Sequence, residues 1–513
     1  MQILKIKYLI DSLFKMIKQS VLLFAILIFL PIEIFSQPNL NQTVKRGLEY
    51  EFNFNWNKAE AVFKGMIKKY PEDPRGFHYQ AGIYLWYYLS NHDIQSYKNF
   101  VEYSDSAIDK ARDFLNKKPD NIEMLYVLGS DYSYRTIAFA KAEKFLDAVW
   151  ASKKSESYLS RTLQLDPAFY DAYLGLGLYN FGVGQIPSAF RWALSLAGIH
   201  GNKETGLKYI WKAAKNGDLS KIEAEYYLSQ ILTDYYFDYQ SAAHLLQNLV
   251  ELYPRNILFS YSLAALDIKR RKLDDAGNLL EKVLKSKDSN FSQIISFSNF
   301  LMGDVNFKEN HFKAAESYYR IFLSSARDSD YKGIAYYRLA VSCEITGDKK
   351  DAVKYFEMTG NGNMDIEDDI YAKRQGEIYS KRTLASAEID LIKYSNLIDD
   401  GKYKTASDSL FDLLGRVKTD RMKAEVSLNL SEAYFLLGKY HESLSYALTS
   451  KALDSSTEKW IEPYSCFYAA RAEAKLGNKE AVKSYIDEAK SFSDFDYQKK
   501  LENLIFALTS SES

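Results

Sequence analysis

The sequence is poor in the residues on which several fold classes depend. Its 513 residues include two cysteines, nine prolines and twenty-four glycines. A β-rich chain of this length uses more glycine and proline, and a disulfide scaffold uses many more cysteines. We therefore expect helices, and we expect no framework of disulfides.

A dominant charge of one sign is also missing. Sixty-six basic residues stand against sixty-seven acidic ones, which gives a net charge of −1. Such a chain has no overall field to attract nucleic acid, so we expect no nucleic-acid partner. The composition is that of a globular protein, and no stretch rich in Pro, Gly or Ser divides the chain. A single continuous architecture fits this combination.

The motifs of common catalytic and metal sites are missing too. The sequence contains no C-x-x-C, H-E-x-x-H or G-x-S-x-G, and its six histidines are dispersed. Four clustered acidic residues lack the spacing of a Ca²⁺ loop, and we interpret them as a solvated loop. They are Asp365, Glu367, Asp368 and Asp369. We expect no catalytic residues, no cofactor and no metal site, with an enzyme of unrecognised site as the minor alternative.

The N-terminal segment has the composition of a secretory signal. Four lysines precede the apolar run at residues 21–30. This run is shorter than the roughly 20 residues that cross a bilayer as a helix, so a retained anchor is the weaker alternative. We expect a signal peptide over residues 1–36, cleaved after Ser36, with translation starting at Met1 or Met16. The mature protein is then secreted across the inner membrane, periplasmic or envelope-associated, with no integral membrane span.

An internal repeat runs through most of the chain. One half of it has a small residue, mostly large apolar residues four and seven positions later, and then a proline. Three copies carry this pattern: Ala59, Phe63, Met66 and Pro71; Ala107, Ala111, Phe114 and Pro119; and Ala242, Leu246, Leu249 and Pro254. The small residue lets two antiparallel helices approach closely, and the proline prevents the helix from continuing.

The other half of the repeat is clearest at Leu125, Leu128, Gly129 and Tyr132. These residues resemble the first-helix pattern W-x-x-L-G-x-x-Y of tetratricopeptide repeats, with Leu125 in place of Trp. The three copies above resemble the second helix, A-x-x-x-F-x-x-A. The resemblance covers about residues 48–490. It implies an all-α fold, a right-handed superhelical solenoid of antiparallel helix pairs, and a concave surface that binds a protein or peptide.

The spacing of the repeats divides the chain into regions. Prolines near the N-terminus follow each other at intervals of 48 residues where the family has 34, which predicts longer helices in those units. We expect long-helix repeats over 37–181, an irregular apolar and glycine-rich insert over 182–220, central repeats over 221–360, a loop or hinge with linking helices over 361–400, and C-terminal repeats with a capping helix over 401–513. Four glycines should mark the turn between the helices of a unit: Gly347, Gly401, Gly438 and Gly477.

The two cysteines are not expected to pair. In a solenoid each repeat contacts only its neighbours, and Cys343 and Cys466 lie 123 residues apart. Their Cα atoms should therefore exceed the roughly 7 Å that a disulfide allows. We expect both to be small buried apolar residues.

Aromatic residues make up 15% of the chain, and forty-one residues are tyrosines. Tyrosine combines a rigid face with a polar tip, which suits a surface that grips a peptide. In the repeat register six aromatic side chains should face the concave surface: Trp86, Tyr126, Tyr134, Tyr261, Tyr337 and Phe435. Ordinary packing between long helices is the competing interpretation.

Residues 186–199 form an apolar stretch flanked by glycines, with Phe190 and Trp192 as candidate contact residues. A helix that is apolar nearly all round is either buried in the solenoid's own groove or occupied by a partner. The sequence therefore predicts a non-catalytic extracytoplasmic scaffold that binds a protein or peptide. The alternative is a structural or assembly subunit of a cell-envelope complex that docks through residues 186–199.

Overall fold

The structure, a computed structural model, describes residues 40–186, 195 and 198–510. The predicted signal peptide lies outside these residues, and so do Phe190 and Trp192 of the apolar insert. Within the described ranges the secondary structure is helical, without a β-strand. No helix in this part of the chain is both long and apolar enough to cross a membrane.

The first half of the molecule consists of consecutive helices joined mostly by short turns. They are α1 Leu40–Phe52, α2 Trp56–Lys69, α3 Pro74–Asn91, α4 Ile94–Lys117, α5 Ile122–Lys141, α6 Phe145–Leu165, α7 Ala172–Gln185, α8 Lys203–Asn216, α9 Lys221–Ile231 and α10 Tyr239–Leu252. A π-helical turn, Leu232–Tyr236, continues α9.

The second half has the same organisation, with two short 3₁₀ turns at Ser289–Phe291 and Met358–Asn361. Its helices are α11 Ile257–Lys269, α12 Leu273–Leu284, α13 Ser292–Lys308, α14 Phe312–Ser325, α15 Lys332–Thr346, α16 Lys349–Glu357, α17 Glu367–Tyr379, α18 Ser386–Asp399, α19 Tyr403–Arg416, α20 Asp420–Leu436, α21 Tyr440–Ala452, α22 Ile461–Leu476, α23 Lys479–Ser491 and α24 Gln498–Ser510.

Successive helices pack against each other as antiparallel pairs, from α1 with α2 to α22 with α23. The repeat positions predicted from the sequence form the seams between them: Ala59, Phe63, Ala242 and Leu246 are all fully buried. Small residues at these seams allow close helix contact, and the large ones fill the space to the next pair. The all-α helix-pair fold is therefore confirmed.

The lengths and ends of the helices also follow local sequence signals. Helix α4 has 24 residues and α6 has 21, against 14 in α10, which confirms the longer helices of the N-terminal units. The side chain of Asp93 begins α4 by accepting the backbone N–H groups of Gln95 and Ser96. The four predicted turn glycines all have a positive φ, the conformation that glycine adopts without strain.

The region predicted as an irregular insert contains a regular repeat helix. Helix α8 lies within 182–220 and packs closely against α7. A Cβ atom at Gly206 would lie 2.5 Å from the backbone nitrogen of Phe181, so this approach requires glycine. Most of the apolar stretch at 186–199 lies outside the described residues.

The region predicted as a loop or hinge with linking helices is mostly helical, and one member of its acidic cluster is buried. Helices α17 and α18 occupy most of residues 361–400. Asp369 is fully buried, and its carboxylate accepts the backbone N–H groups of Ile334 and Asn363, each at 2.8 Å. Asp369 therefore joins α15 to α17, and the prediction of a solvated loop is wrong for it. The described residues contain no group of side chains arranged to hold a metal ion.

Contacts between distant repeats bring separate parts of the superhelix together. Tyr253 donates to Glu49 over 3.3 Å, and the side-chain amide of Asn91 donates to the carbonyl of Ser289 over 3.0 Å. In each pair the residues are about 200 positions apart. The expectation that each repeat contacts only its neighbours is therefore wrong, and the superhelix encloses its own interior.

The C-terminal helix also contacts the first half of the molecule. Phe506 of α24 lies against Tyr236, with the ring centroids 6.0 Å apart. The two cysteines are free and buried, as predicted.

Candidate functional site

Three of the predicted groove residues meet in one place. Trp86 from α3 and Tyr126 and Tyr134 from α5 line a small space inside the first half of the molecule, which we call the N-terminal cavity. Its volume is about 40 Å³. A single water molecule needs roughly 10–15 Å³ of such space, so this cavity holds a few water molecules and no peptide.

Helix α1, the first helix of the described residues, forms the opposite wall of the N-terminal cavity. Leu48, Glu51 and Phe52 of α1 face the three predicted aromatic residues across it. Tyr126 is only 7% exposed. The concave face predicted as a groove is thus covered by α1 in this half of the molecule, and its aromatic residues contribute to the core.

Two carboxyl groups in the N-terminal cavity have raised pKa values, so they release their protons less readily than exposed carboxyl groups. Burial raises the pKa of Glu223 to about 7, while a hydrogen bond from Tyr134 at 3.4 Å lowers it. Burial also raises the pKa of Glu51 well above its usual value, and Glu223 raises it further. Like charges in a poorly solvated space repel each other, so ionising both members of this pair is unfavourable.

The other described candidates lie in different places. Tyr261 of α11 packs, partly buried, against the hydrophobic core. Phe435 of α20 lies under the guanidinium of Arg471, 3.7 Å from the ring centroid. Tyr337 of α15 lines a second, larger cavity. The six predicted groove residues therefore do not form one surface.

The second cavity lies inside the second half of the molecule and has a volume of about 210 Å³. We call it the C-terminal cavity. Its walls come from α13, α15, α17, α18, α20 and the segments before α22 and α24, and they combine aromatic, charged and amide side chains. The polar and aromatic members are Phe307, Tyr337, Arg338, Tyr371, Gln375, Tyr379, Glu388, Ser395, Asn396, Arg421, Glu425, Asn429, Glu458 and Tyr497.

Three tyrosines form the aromatic wall of the C-terminal cavity. The ring centroids of Tyr337 and Tyr371 are 5.8 Å apart, with the rings at 79°. Tyr497 packs on Tyr371 at 5.3 Å, and its hydroxyl donates to Asp368 over 3.4 Å. Edge-to-face contacts of this kind hold aromatic rings in fixed positions. The wall is therefore ordered before any ligand arrives.

Ion pairs form the polar wall of the C-terminal cavity. Arg421 donates to Glu425 at 2.8 Å and to Glu388 at 3.0 Å. Glu388 is buried, which raises its pKa, but hydrogen bonds from Arg382 and the backbone N–H of Ala385 bring the pKa down to about 2. Glu388 is therefore ionised at neutral pH.

Glu425 is less well compensated than Glu388. Burial raises its pKa to about 7; Arg421 lowers the pKa, whereas Glu458 and Glu388 raise it. The two oxygens of Glu425 differ, because Oε2 accepts a hydrogen bond from Arg421 and Oε1 accepts none from any described residue.

Sequence reasoning found Tyr337 in this site and missed its charged residues. Arg338 follows Tyr337 directly and was the available signal, since a charged residue beside a predicted groove aromatic invites attention. Glu388, Glu425 and Glu458 come from repeats that are adjacent only in the folded chain. No sequence motif joins them.

A separate apolar surface lies at the start of α6. Phe145, Leu146 and Trp150 are 66%, 79% and 65% exposed. They occupy the first two turns of the helix. Large apolar side chains grouped in this way on a surface indicate an interaction region.

The comparison with protein families identifies the type of repeat. A family profile described as Iml2/Tetratricopeptide repeat protein 39 matches residues 131–373, just under half of the chain and the region from α5 to α17. The chain is a tetratricopeptide-repeat protein. Helical repeats of this family are typical of protein–protein interaction scaffolds. No curated protein sequence matches this tetratricopeptide chain.

Solved structures that align with this chain are also those of tetratricopeptide proteins. Pseudomonas aeruginosa PilF is 15% identical and covers 48% of this chain and 97% of its own, with a TM-score of 0.34. Yeast Tom70 is 15% identical and covers 92% of this chain and 95% of its own, with a TM-score of 0.26. The tetratricopeptide domain of P58(IPK) is 15% identical and covers 74% and 94%, with a TM-score of 0.19. Scores below 0.5 support no inference about function.

Proposed function

We propose that this protein is an extracytoplasmic, non-catalytic scaffold that binds a segment of a partner protein at the C-terminal cavity. The observation that carries the proposal is the contrast in free space. The N-terminal cavity has about 40 Å³ and is closed by α1, whereas the C-terminal cavity has about 210 Å³. Pre-formed concave sites with ordered aromatic and polar walls are where proteins bind ligands.

Site-specific photocrosslinking tests the binding site in the producing cells. A photoreactive phenylalanine analogue replaces Tyr371 in the C-terminal cavity, and in a matched control it replaces Tyr126 in the N-terminal cavity. We expect a discrete crosslinked partner band from position 371 and none from position 126. The band should disappear when Tyr337→Ala is added. A band from position 126 alone would contradict the proposal.

The extracytoplasmic location rests on the N-terminal segment and needs its own test. Residues 1–45 are fused to an alkaline phosphatase that is active only after export. We expect activity from this fusion, and we expect none when the apolar residues 21–30 are deleted. Equal activity from both fusions, or none from either, would contradict export.

The assembly interpretation stays a second candidate because of the exposed apolar surface on α6. In that case Leu146→Glu together with Trp150→Glu should release the protein from envelope fractions, and Tyr337→Ala should not. The apolar stretch at 186–199 is tested separately by its deletion, which tells whether this stretch or α6 makes the contact.

A further inference from the structure

The size of the C-terminal cavity limits what it can accept. Pockets that enclose drug-sized molecules have volumes of roughly 300–1,000 Å³. The C-terminal cavity, at about 210 Å³, is below that range. It has room for one long side chain of a partner and not for a folded element. The question is then which side chain its walls would recognise.

The charges of the walls exclude an anionic side chain. Both lining arginines already have carboxylate partners, since Arg338 is paired with Asp304 and Arg421 is shared by Glu388 and Glu425. An incoming carboxylate would find no free guanidinium and would meet the lining carboxylates of Glu388, Glu425 and Glu458. Placing like charges together in a poorly solvated cavity is unfavourable.

With Glu425 ionised, the same walls have one more negative charge than positive charges. The ion pairs in and behind the cavity join five carboxylates to four guanidiniums. The carboxylates are Asp304, Glu388, Glu425, Glu458 and Asp496, and the guanidiniums are Arg338, Arg374, Arg382 and Arg421. Glu425 shares its arginine with Glu388, and its Oε1 atom accepts no hydrogen bond from a described residue. A cation would complete this network.

The aromatic wall of the C-terminal cavity also favours a cation. Tyrosine rings attract cations to their faces through the negative charge of the π-system. The structure shows this on Tyr371, where the guanidinium of Arg374 lies 5.8 Å from the ring centroid. Tyr337 and Tyr497 extend the same wall. Carboxylate and aromatic groups therefore face one space together.

A depression on the surface has the same sign of charge as the cavity. It has a volume of about 530 Å³, and Tyr497 contributes to both spaces. Its lining includes Glu367, Asp494 and Asp496 against Arg374 and Lys459, an excess of one negative charge. A partner with a basic residue would be attracted towards this side of the molecule.

We propose that the C-terminal cavity binds the cationic side chain of a lysine in the partner segment, with Glu425 accepting from the ammonium group and Tyr337 and Tyr371 enclosing its stem. This inference rests on the proposed function, because it names the chemistry of the partner at that same site. A lysine suits the cavity because its ammonium is compact and its stem is apolar.

Ligand-observed NMR with the full-length protein tests the inference directly. The probes are Nα-acetyl-lysine methylamide, its norleucine counterpart with the same stem and no charge, and the corresponding glutamate derivative. We expect saturation transfer to the lysine probe at concentrations where the other two give none. Equal signals from lysine and norleucine, a preference for glutamate, or no signal from any probe would overturn the inference.

Two variants locate the binding. Glu425→Gln keeps the shape of the cavity and removes its charge, and we expect the lysine probe to bind roughly tenfold more weakly, as for loss of a charge-assisted hydrogen bond. Glu442→Gln removes an exposed carboxylate on α21 and should leave the affinity unchanged. Equal affinities in both variants would overturn the assignment to this cavity. If Glu425→Gln does not fold, as judged by circular dichroism, Tyr371→Leu replaces it with the same expected direction.

The result of the lysine-binding experiment can be distinguished from the result of the crosslinking experiment that tests the proposed function. A crosslinked partner at position 371 without any preference for the lysine probe would leave the scaffold function standing and remove the inference. Lysine binding at Glu425 without a crosslinked partner would support the lysine inference and contradict the scaffold function.

Discussion

The two cavities of this molecule are built from the same types of residue but differ in free space and in the pairing of their charges. Both lie inside the superhelix, and both are lined by tyrosines and glutamates from successive repeats. The N-terminal cavity is closed by α1, and burial raises the pKa values of two of its carboxyl groups, Glu51 and Glu223. In the C-terminal cavity arginines pair with the carboxylates, and space is left for a side chain.

This difference shows that the type of residue facing the inside of a solenoid does not identify a binding surface. Trp86, Tyr126 and Tyr134 have the chemistry of a peptide-binding groove, yet α1 packs over them. Tyr337 has the same chemistry and faces open space. What distinguishes them is whether another part of the chain fills the interior.

The largest expected effect comes from breaking the contact that closes the N-terminal cavity. Phe63 is fully buried in α2, packs against Gly47 of α1 and stacks on Tyr79 at 5.5 Å. Phe63→Ala should lower the free energy of unfolding by about 3–5 kcal/mol, because it leaves a cavity in the core. Hydrogen exchange should show α1 exchanging faster while α15 is unchanged.

The control for this prediction is Phe411→Ala, which changes a phenylalanine that is 56% exposed on α19. It should alter stability by less than about 0.5 kcal/mol. If α1 stays as well protected in Phe63→Ala as in the control, then α1 is not what separates the two cavities.

A smaller effect should follow from Glu388→Gln in the C-terminal cavity. The folded-state pKa of Glu388, about 2, lies below its unfolded value, so its ionised form stabilises the fold above about pH 4.5. That stability is lost as pH falls from about 4.5 towards 2. A shift of one pKa unit is worth about 1.4 kcal/mol, so the variant should lose at most about 3 kcal/mol at pH 7.

Urea denaturation at pH 3, 5 and 7 measures this dependence. The difference between wild type and Glu388→Gln should grow with rising pH and reach its plateau near pH 5. A difference that is the same at all three pH values would mean that the ion pairs of Glu388 do not stabilise the fold as charges.

The smallest change in the free energy of unfolding is expected for Glu223→Gln in the N-terminal cavity. This substitution should stabilise the fold, whereas Glu388→Gln should destabilise it. The folded-state pKa of Glu223, about 7, lies above the unfolded value, so ionisation penalises the fold increasingly between about pH 4.5 and 7. The variant cannot ionise and should be more stable than wild type at pH 8, by at most about 3 kcal/mol and less where water enters the cavity.

The same denaturation experiment at pH 4 and pH 8 checks it, with Glu442→Gln as the exposed control. At pH 4 wild type and Glu223→Gln should agree, because the wild-type side chain is then protonated. A variant that is less stable than wild type at pH 8 would show that burial does not raise the pKa of Glu223 in the folded protein, and the contrast between the two cavities would fail.

Much of the fold could be predicted from local signals. The spacing of small and large residues around Ala59 and Ala242 placed the seams between helices, and the turn glycines marked where one helix of a pair ends. The interval between prolines indicated the longer N-terminal helices. These predictions succeeded because helix propensity, capping and pairwise packing act over about one repeat length.

The candidate site could be predicted only in part. Tyr337 was found from its register, but Glu425 and Arg421 were not. The acidic residue Asp369 was interpreted as solvated and is instead a buried acceptor for backbone N–H groups of two separate segments. In both cases the contacts that determine the role of the residue form between separate helices. The residues on the other side of these contacts belong to no recognisable sequence motif.

The amino-acid sequence by itself determined a chain of antiparallel helix pairs, because each pair must bury its apolar seam against the next and this requirement repeats along the chain. The tertiary structure decided which interior surface became core and which stayed open. That outcome depends on small rotations that accumulate over many repeats until Glu49 meets Tyr253 and Asn91 meets Ser289. No single repeat contains this information, since the closing contacts form only when the whole superhelix is in place.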